Sequence, residues 1–201
     1  MTLDQFRPVV AGALAPFVSA ARALGVSPVG VSLVAFATAV LAAAAFAVAT
    51  PLAYVAGAVL VFLNGWFDLV DGALAREEGS ESRAGDLLDH ALDRYADLLV
   101  LGGLSAGVGR YALGFVAVTG VLLTSYMGTQ IQAVGLGREY GGLVGRADRL
   151  ALICVAAVLA AVFPGADVAG VGPIVGVLAV LAVVGHLTAL QRFYGAWSDL
   201  A

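Results

Sequence analysis

Charged residues and cysteines are scarce in this 201-residue chain. Only 12% of its residues are charged, and its ten Lys and Arg residues are all arginine. A soluble domain of this length needs more polar surface than that, so the composition excludes an ordinary soluble globular protein. The single cysteine, Cys154, excludes a framework of disulfides. The formal net charge is −4, and no nucleic-acid partner is expected.

Apolar residues, by contrast, make up 61% of the chain. Six segments are long and apolar enough to be helices that cross a bilayer. They cover residues 29–49, 52–76, 84–108, 111–136, 150–163 and 171–193. The segment before them repeats apolar residues three and four apart, which predicts an amphipathic helix in the membrane surface. The sequence therefore predicts an all-α integral membrane protein with a single domain, 1–201: an interfacial helix, 3–24, followed by a bundle of six transmembrane helices, 29–193.

The arginines predict how this bundle lies in the membrane. With six spans, eight arginines fall at one face, and Arg110 marks the opposite side. The eight are Arg7, Arg22, Arg76, Arg83, Arg138, Arg146, Arg149 and Arg192. Because cytoplasmic loops carry an excess of Lys and Arg, both termini are expected to face the cytoplasm. The expected location is the cytoplasmic membrane, crossed several times.

Nine of the fourteen carboxylates lie between Asp68 and Asp97. If both flanks of the loop in this stretch are helical, Asp68 and Asp71 share one face of the second span, and Asp89 and Asp93 share one face of the third. The short loop makes these helices antiparallel neighbours, so four carboxylates can converge. Four like charges repel one another strongly unless a cation lies among them. The spacing therefore predicts bound metal.

The ligand type narrows the choice of ion. Oxygen-only ligands favour a hard divalent cation such as Mg²⁺, Mn²⁺ or Ca²⁺, and two ions held by shared carboxylates suit attack on phosphorus. Gly72, Ala75 and Gly85 are small residues on the same faces, and they leave room for a ligand against the backbone. Arg76, at the predicted membrane edge, can pair with a phosphate.

Acidic groups within a span have other interpretations. They can line a proton or cation path, or pair structurally with Arg76 and Arg94. Charge inside a membrane is expensive, however, so an ionisable group there is a functional candidate. Asp97, one turn deeper than the other acids, is interpreted as a hydrogen-bond partner rather than a ligand. His90 and His186 are isolated in the sequence and are assigned to packing or a local hydrogen bond.

The acidic residues belong to a longer gapped pattern. It reads Asp68-x-x-Asp71-Gly72-x-x-Ala75-Arg76, eight residues, Gly85-x-x-x-Asp89-x-x-x-Asp93. At every fixed position this pattern resembles the signature of the CDP-alcohol phosphotransferase family, which also has a surface helix followed by six spans. The resemblance implies an integral-membrane homodimer that transfers a phosphorylated lipid alcohol from a CDP-alcohol to an acceptor hydroxyl and releases CMP.

The resemblance also implies roles for individual residues. Asp68, Asp71, Asp89 and Asp93 resemble the metal ligands, and Asp93 also resembles the general base. The expected cofactor is Mg²⁺ or Mn²⁺, two ions per site. The positions that resemble the CDP-lipid site are Gly72, Ala75, Arg76, Ser82 and Gly85, together with Val29, Gly30, Val31 and Ser32 at the start of the first span. A helix N-terminus is a ready site for an anion, which suits the diphosphate of the donor.

The acceptor is expected to be an anion. Arg146, Arg149 and Arg192 at the predicted cytoplasmic face suit a polyol phosphate better than choline, ethanolamine or serine, although they could instead be ordinary membrane anchors. The chain resembles the branch that uses inositol phosphate or a related polyol phosphate. Gly128 and Gln130, however, stand where the inositol-phosphate branch usually carries basic residues. This departure favours glycerol phosphate as the expected acceptor, with inositol phosphate as the alternative.

The sequence therefore predicts a membrane phospholipid-synthesis enzyme with a CDP-lipid donor. The donor can be CDP-diacylglycerol or, if the acidic, lysine-free composition marks a halophilic archaeon, CDP-archaeol. Two other functions also use acidic groups in a membrane. An intramembrane Asp-rich prenyltransferase resembles a larger bundle with two separated acidic motifs, and only one cluster exists here. A cation transporter would show no dependence on a nucleotide.

Overall fold

A computed structural model of the chain describes residues 7–137, 143–168 and 170–201, and of residues 7–11 only the backbone. These residues form seven α-helices, so the all-α prediction is confirmed. The helices are α1 (Arg7–Ala23), α2 (Pro28–Val48), α3 (Pro51–Glu78), α4 (Arg83–Gly107), α5 (Tyr111–Ala133), α6 (Arg146–Val162) and α7 (Pro173–Leu200). Residues 3–6 of the predicted interfacial helix, the side chain of Arg7, and Arg138 lie outside the described part.

Helices α2 and α4 begin at local sequence signals, whereas α6 begins at Arg146 rather than at residue 150 and α7 continues to Leu200 rather than ending at residue 193. Ser27 caps α2 by accepting a hydrogen bond from the Gly30 amide at 3.2 Å, and Ser82 caps α4 in the same way through the Gly85 amide at 3.0 Å. Such side chains satisfy amides that have no partner within the helix. Gly79, in the left-handed conformation, ends α3. The α3–α4 turn is therefore short. The prediction that these two helices are direct neighbours is nevertheless wrong, because α2 packs against both of them and joins the two halves of the acidic pattern.

Four helices among the described residues, α2, α3, α5 and α7, are long and apolar enough to cross a membrane. The chain thus has the helices of a membrane protein, but the six-span prediction is confirmed only in part. Helix α6 has 17 residues, which is about 26 Å of helix against a hydrocarbon core of about 30 Å. Helix α4 is long enough, with 25 residues, but its first half carries the acidic residues and Arg94.

The packing of α2 between α3 and α4 positions the site. Helix α2 packs against both helices, α3 also packs against α6, and α5 packs against α7. The contact between α2 and α4 is close at Gly103, where a Cβ atom would lie 2.3 Å from the Ala43 carbonyl oxygen. Helix α1 covers one side of α3, with Val18 buried in one cluster with Leu74. These contacts hold the acidic ends of α3 and α4 against the first turns of α2.

Candidate metal and nucleotide site

The acidic residues of α3 and α4 lie at one cavity. Asp68, Asp71, Asp89 and Asp93 all line it, together with side chains of α2. One carboxylate oxygen each from Asp68, Asp71 and Asp89 lies within 4.8 Å of the others. The structure therefore brings together the four carboxylates that the sequence analysis predicted as metal ligands.

Helix α2 fixes the most buried of these acids. The Ser32 hydroxyl donates a hydrogen bond to Asp71 Oδ2 at 2.6 Å and also lies 3.1 Å from the Pro28 carbonyl oxygen. Asp71 is 6% exposed, so its carboxylate depends on this hydroxyl for a partner within the protein. Ser32, predicted at the CDP-lipid site, here orients a predicted metal ligand.

Arg146, at the start of α6, bridges two of the predicted ligands. Its guanidinium contacts Asp68 Oδ2 through Nη1 and Asp93 Oδ1 through Nη2, each at 2.6 Å. Nη2 also lies 3.5 Å from Asn64 Oδ1. Short contacts of this kind are strong, because both partners are charged. The guanidinium therefore offsets part of the negative charge of the cavity and fixes the orientation of Asp93.

A second arginine of α6 makes a buried ion pair just below the cavity. Arg149 Nη2 lies 3.2 Å from Asp97 Oδ2, and both side chains are 7% exposed. Arg94 Nη1 lies 3.7 Å from the same Asp97 oxygen. The interpretation of Asp97 as a hydrogen-bond partner agrees with these contacts. Arg192, the third arginine predicted at the acceptor, donates from Nη1 to the Thr124 carbonyl at 2.7 Å.

The residues predicted to meet the CDP-lipid differ in exposure, and among them Ser32 lines the cavity. Arg76 and Ser82 are exposed at the two ends of the α3–α4 turn. A Cβ atom on Gly72 would lie 3.3 Å from Arg76 Nη1, so the arginine reaches back over the glycine. Val29 is exposed, whereas Val31 is buried in the cluster between α1 and α3. A side-chain contact of Val31 with a ligand therefore requires that cluster to open.

The donors present fit a divalent metal ion. The four carboxylates supply oxygen ligands of the kind that Mg²⁺ and Mn²⁺ use in proteins. A second group, formed by Asp89, His90 and Asp93, also offers donor atoms within 4.8 Å of one another. The predicted ligand set and the cavity that it lines are therefore chemically consistent.

One residue of this region, Asn64, and one ion-pair arrangement, that of Arg146 with the acids, were not identified from the sequence. Asn64 is 4% exposed and donates from Nδ2 to the Ala35 carbonyl at 2.9 Å, so it ties α3 to α2 directly beneath the acids. Asn64 could have been predicted from the sequence, because it lies one helical turn before Asp68 and residues four apart share a helix face. The pairing of Arg146 with the acids could not be predicted in this way, because 78 positions separate it from Asp68.

Comparison with known proteins places nearly the whole chain in one family model. Residues 13–190 match the model described as CDP-alcohol phosphatidyltransferase. An archaetidylinositol phosphate synthase of Pyrococcus horikoshii is 29% identical over 195 residues, which cover 96% of each chain. The same enzyme of Methanothermobacter thermautotrophicus is 30% identical over 201 residues, covering 98% of this chain and 95% of its own. A phosphatidylinositol phosphate synthase of Mycobacterium marinum is 36% identical over 150 residues, covering 71% of this chain and 62% of its own.

Solved structures show the same architecture. The Mycobacterium tuberculosis phosphatidylinositol phosphate synthase with CDP-DAG bound superimposes with a TM-score of 0.78 at 26% identity, covering 92% of this chain and 93% of the other. The same synthase in complex with manganese and citrate gives a TM-score of 0.79 at 26% identity, covering 92% and 88%. The fold around the acidic cavity is thus the fold of a protein whose structures were determined with a CDP-lipid and with manganese.

Proposed function

Because the chain belongs to the CDP-alcohol phosphatidyltransferase family, we propose that it transfers a phosphatidyl-type group from a CDP-lipid to a hydroxyl of inositol phosphate and releases CMP. It is a membrane transferase of phospholipid biosynthesis. The transferred group is the phosphate of diacylglycerol or of archaeol. The observation that carries the proposal is the convergence of four family-signature carboxylates on one cavity, with an arginine of α6 between two of them.

The expectation of glycerol phosphate as the acceptor is not supported. The relatives that match along nearly the whole chain are archaetidylinositol phosphate synthases, which favours the inositol-phosphate alternative. The expectation rested on Gly128 and Gln130, where basic residues were missing. Gly128 is buried on α5 and Gln130 is exposed, and neither is among the residues that line the acidic cavity. Positive charge for an anionic acceptor can come from α6 and α7 instead.

We assign the acceptor phosphate to Arg146, Arg149 and Arg192. Arg146 supports this best, since its guanidinium lies at the cavity with 20% of its side chain exposed. A planar guanidinium can bind a phosphate through two parallel hydrogen bonds. Arg149 is more deeply buried and paired with Asp97, so its part is to add positive charge behind the phosphate. Arg192, on α7, also links that helix to α5 through the Thr124 carbonyl.

The metal ligands in the proposal are Asp68, Asp71, Asp89 and Asp93, with Mg²⁺ or Mn²⁺ as the cofactor and two ions in the site. Bound there, the ions supply positive charge to the entering and leaving oxygens of the transfer. Ser32 holds Asp71 in place through its 2.6 Å hydrogen bond. Arg146 contacts Asp68 Oδ2 and Asp93 Oδ1 at 2.6 Å each, so a cation bound by these two oxygens would take over part of the charge balance that the guanidinium provides.

Asp93 is the proposed base for the acceptor hydroxyl. Arg146 is bonded to Asp93 Oδ1, while Oδ2 has a longer contact of 3.5 Å with Arg94. Oδ2 is therefore the oxygen that accepts the proton. The side chain is 14% exposed, so a substrate rather than bulk water would occupy the space beside it. A base works when it is within hydrogen-bond reach of the proton that it removes.

The CDP-lipid is assigned to the mouth of the cavity. Its contacts are Gly72, Ala75, Arg76, Ser82 and Gly85 on the α3–α4 side and residues 29–32 at the start of α2. The lipid chains would then lie in the bilayer beside α2 and α3, whose outer faces expose large apolar side chains such as Leu33 and Phe62. Anion binding by the first turn of α2 is the reason to place the diphosphate there.

The membrane arrangement is part of the proposal. The single domain, 1–201, places the six helices α2–α7 across the cytoplasmic membrane, with α1 in its surface and with the site and both termini on the cytoplasmic side. Arg76, Arg83, Arg146 and Arg192 would then lie on that side and Arg110 on the other. Two copies form a homodimer.

The test is CMP release by protein purified in detergent. CDP-diacylglycerol and CDP-archaeol are supplied separately as donors, with inositol phosphate, glycerol phosphate or free inositol as acceptors, in Mg²⁺, Mn²⁺ or excess chelator. We expect release only with inositol phosphate and only with metal. Asp71→Asn should abolish it, whereas Asp199→Asn, at the exposed end of α7, should not. Preference for glycerol phosphate, or full activity in chelator, would contradict the proposal.

A further inference from the structure

His90 lies beside two of the predicted metal ligands, although the sequence suggested only packing or a local hydrogen bond. One donor atom each from Asp89, His90 and Asp93 lies within 4.8 Å of the others. The imidazole Nδ1 is 3.8 Å from Asp89 Oδ2. The His90 side chain is 33% exposed, so the ring is partly accessible to solvent.

These distances are compatible with one shared ion. Zn²⁺ binds imidazole nitrogen at about 2.0–2.1 Å and carboxylate oxygen at about 2.0–2.2 Å. Two such donors on one ion are therefore at most about 4.3 Å apart, the sum of the two bond lengths. The 3.8 Å between His90 Nδ1 and Asp89 Oδ2 falls within that limit.

The other ring nitrogen has the neighbour that a metal-binding histidine usually has. Nε2 lies 3.7 Å from Asp86 Oδ1, one helical turn earlier on α4. Histidine ligands commonly donate their second N–H to a carboxylate, which fixes the ring and makes the ligating nitrogen more basic. Asp86 is 69% exposed, so its side chain can rotate to close this distance. The His90 imidazole thus lies between the Asp86 carboxylate on one side and Asp89, a predicted metal ligand, on the other.

We propose that His90 Nδ1 is an additional ligand of the divalent ion held by Asp89 and Asp93, and that it gives this site a preference for later first-row transition ions, such as Co²⁺, over Mg²⁺. The inference rests on the proposed metal-dependent function and extends it. Imidazole suits later first-row ions such as Ni²⁺ and Zn²⁺, and sites with nitrogen ligands bind Co²⁺ more tightly than Mn²⁺, whereas Mg²⁺ and Mn²⁺ suit carboxylate and water oxygens. Asp86 is a positioning residue that acts through the ring.

The experiment measures nitrogen coordination directly. Mn²⁺ is bound to the full chain in detergent, purified through an affinity tag that contains no histidine, and pulsed electron paramagnetic resonance records hyperfine coupling to ¹⁴N. The chain has two histidines. His186, on α7, contacts the Val116 carbonyl at 3.2 Å, so His186→Gln is the matched control for His90→Gln.

We expect a ¹⁴N coupling in the parent and in His186→Gln, and its loss in His90→Gln. Incorporation of ¹⁵N-histidine into the unaltered chain should shift the coupling to that of ¹⁵N, a result that does not require any variant to fold. His90→Gln should also lower Co²⁺ affinity about tenfold or more while changing Mg²⁺ affinity much less. Asp86→Asn should weaken the coupling without removing it.

Two results would overturn the inference in different ways. Bound Mn²⁺ without nitrogen coupling, or with a coupling that survives in His90→Gln, removes His90 from the site and leaves the carboxylate metal site intact. No binding of Mn²⁺, Mg²⁺ or Co²⁺ by the parent overturns the proposed metal-dependent function, and the inference fails with it.

Discussion

The buried pair between Asp97 and Arg149 allows the stability of the bundle to be separated from acceptor binding. We consider Arg149→Gln, Asp97→Asn and the double variant. Both side chains are 7% exposed and are joined by a 3.2 Å contact. Removing one partner of a buried pair leaves an uncompensated charge, which costs about 3–5 kcal/mol.

The structure places Arg149→Gln near the lower end of that range. Arg94 Nη1 remains 3.7 Å from Asp97 and is 32% exposed, so it screens the orphaned carboxylate in part. We expect a loss of about 3 kcal/mol. In the double variant neither charge remains. Its loss should therefore be only about 1 kcal/mol, the size of the one hydrogen bond that the shorter amide side chains no longer form.

The assays are unfolding in mixed micelles and steady-state kinetics on the same preparations. If Arg149 also supplies charge to the acceptor phosphate, the double variant recovers its stability but keeps an acceptor KM raised about tenfold or more, because a hydrogen bond to a charged group contributes about 1.5–3 kcal/mol. The KM for the CDP-lipid should change little in comparison. The matched control is Arg110→Gln, at the opposite end of the bundle.

Two results would refute this reasoning. Arg149→Gln that is as stable as the parent, or a double variant that loses the sum of the single losses, would show that the pair does not act as a unit. Recovery of both stability and acceptor KM in the double variant would restrict Arg149 to a structural role. Arg146 and Arg192 would then be the arginines that remain assigned to binding of the acceptor phosphate.

Two further predictions concern the proposed base and the helix packing. Asp93→Asn should bind CDP-lipid with metal nearly as well as the parent, but it should turn over about a hundredfold to ten-thousandfold more slowly. Binding and single-turnover CMP release are measured on the same preparation. Near-normal turnover would remove Asp93 from the mechanism. Gly103→Ala should destabilise the bundle by about 1–3 kcal/mol in the unfolding assay, because its Cβ would lie 2.3 Å from the Ala43 carbonyl. Gly102→Ala, whose Cβ would meet nothing within 4 Å, is its control, and equal losses in the two variants would contradict the packing.

Local signals in the sequence were sufficient to locate the helices and the acidic residues. Ser27-Pro28 and Thr50-Pro51 start α2 and α3 as their chemistry requires, since the side-chain oxygens cap free amides and proline fits the first turn. The spacing of the aspartates by three and four residues placed them on common helix faces. These features depend on neighbours within one or two turns, so they can be read without knowing the packing. The gapped signature identified the family for the same reason.

The number of spans was harder to predict, because two of the helices carry charged residues of the site as well as apolar residues that suit a membrane span. Helix α4 has the length of a span but carries the acids in its first half, and α6 begins with charged residues. The expectation of glycerol phosphate rested on the lack of basic side chains at Gly128 and Gln130, whereas the relatives that match along nearly the whole chain are archaetidylinositol phosphate synthases. In the structure the nearby positive charge comes from α6, which follows those residues in the chain but packs against α3.

The approximate positions of the seven helices, the start of α2 and the set of carboxylates could be predicted from the sequence, since periodicity and capping are local. The cations that face those carboxylates could be found only from the packing of the helices. Arg146 and Arg149 meet Asp68, Asp93 and Asp97 because α6 packs on α3, a contact between residues 52 to 78 positions apart. The proximity of the His90 ring to the Asp89 carboxylate likewise depends on side-chain positions that the helical repeat does not specify. Helical order is encoded along the chain, whereas the balance of charge in the site arises from long-range packing.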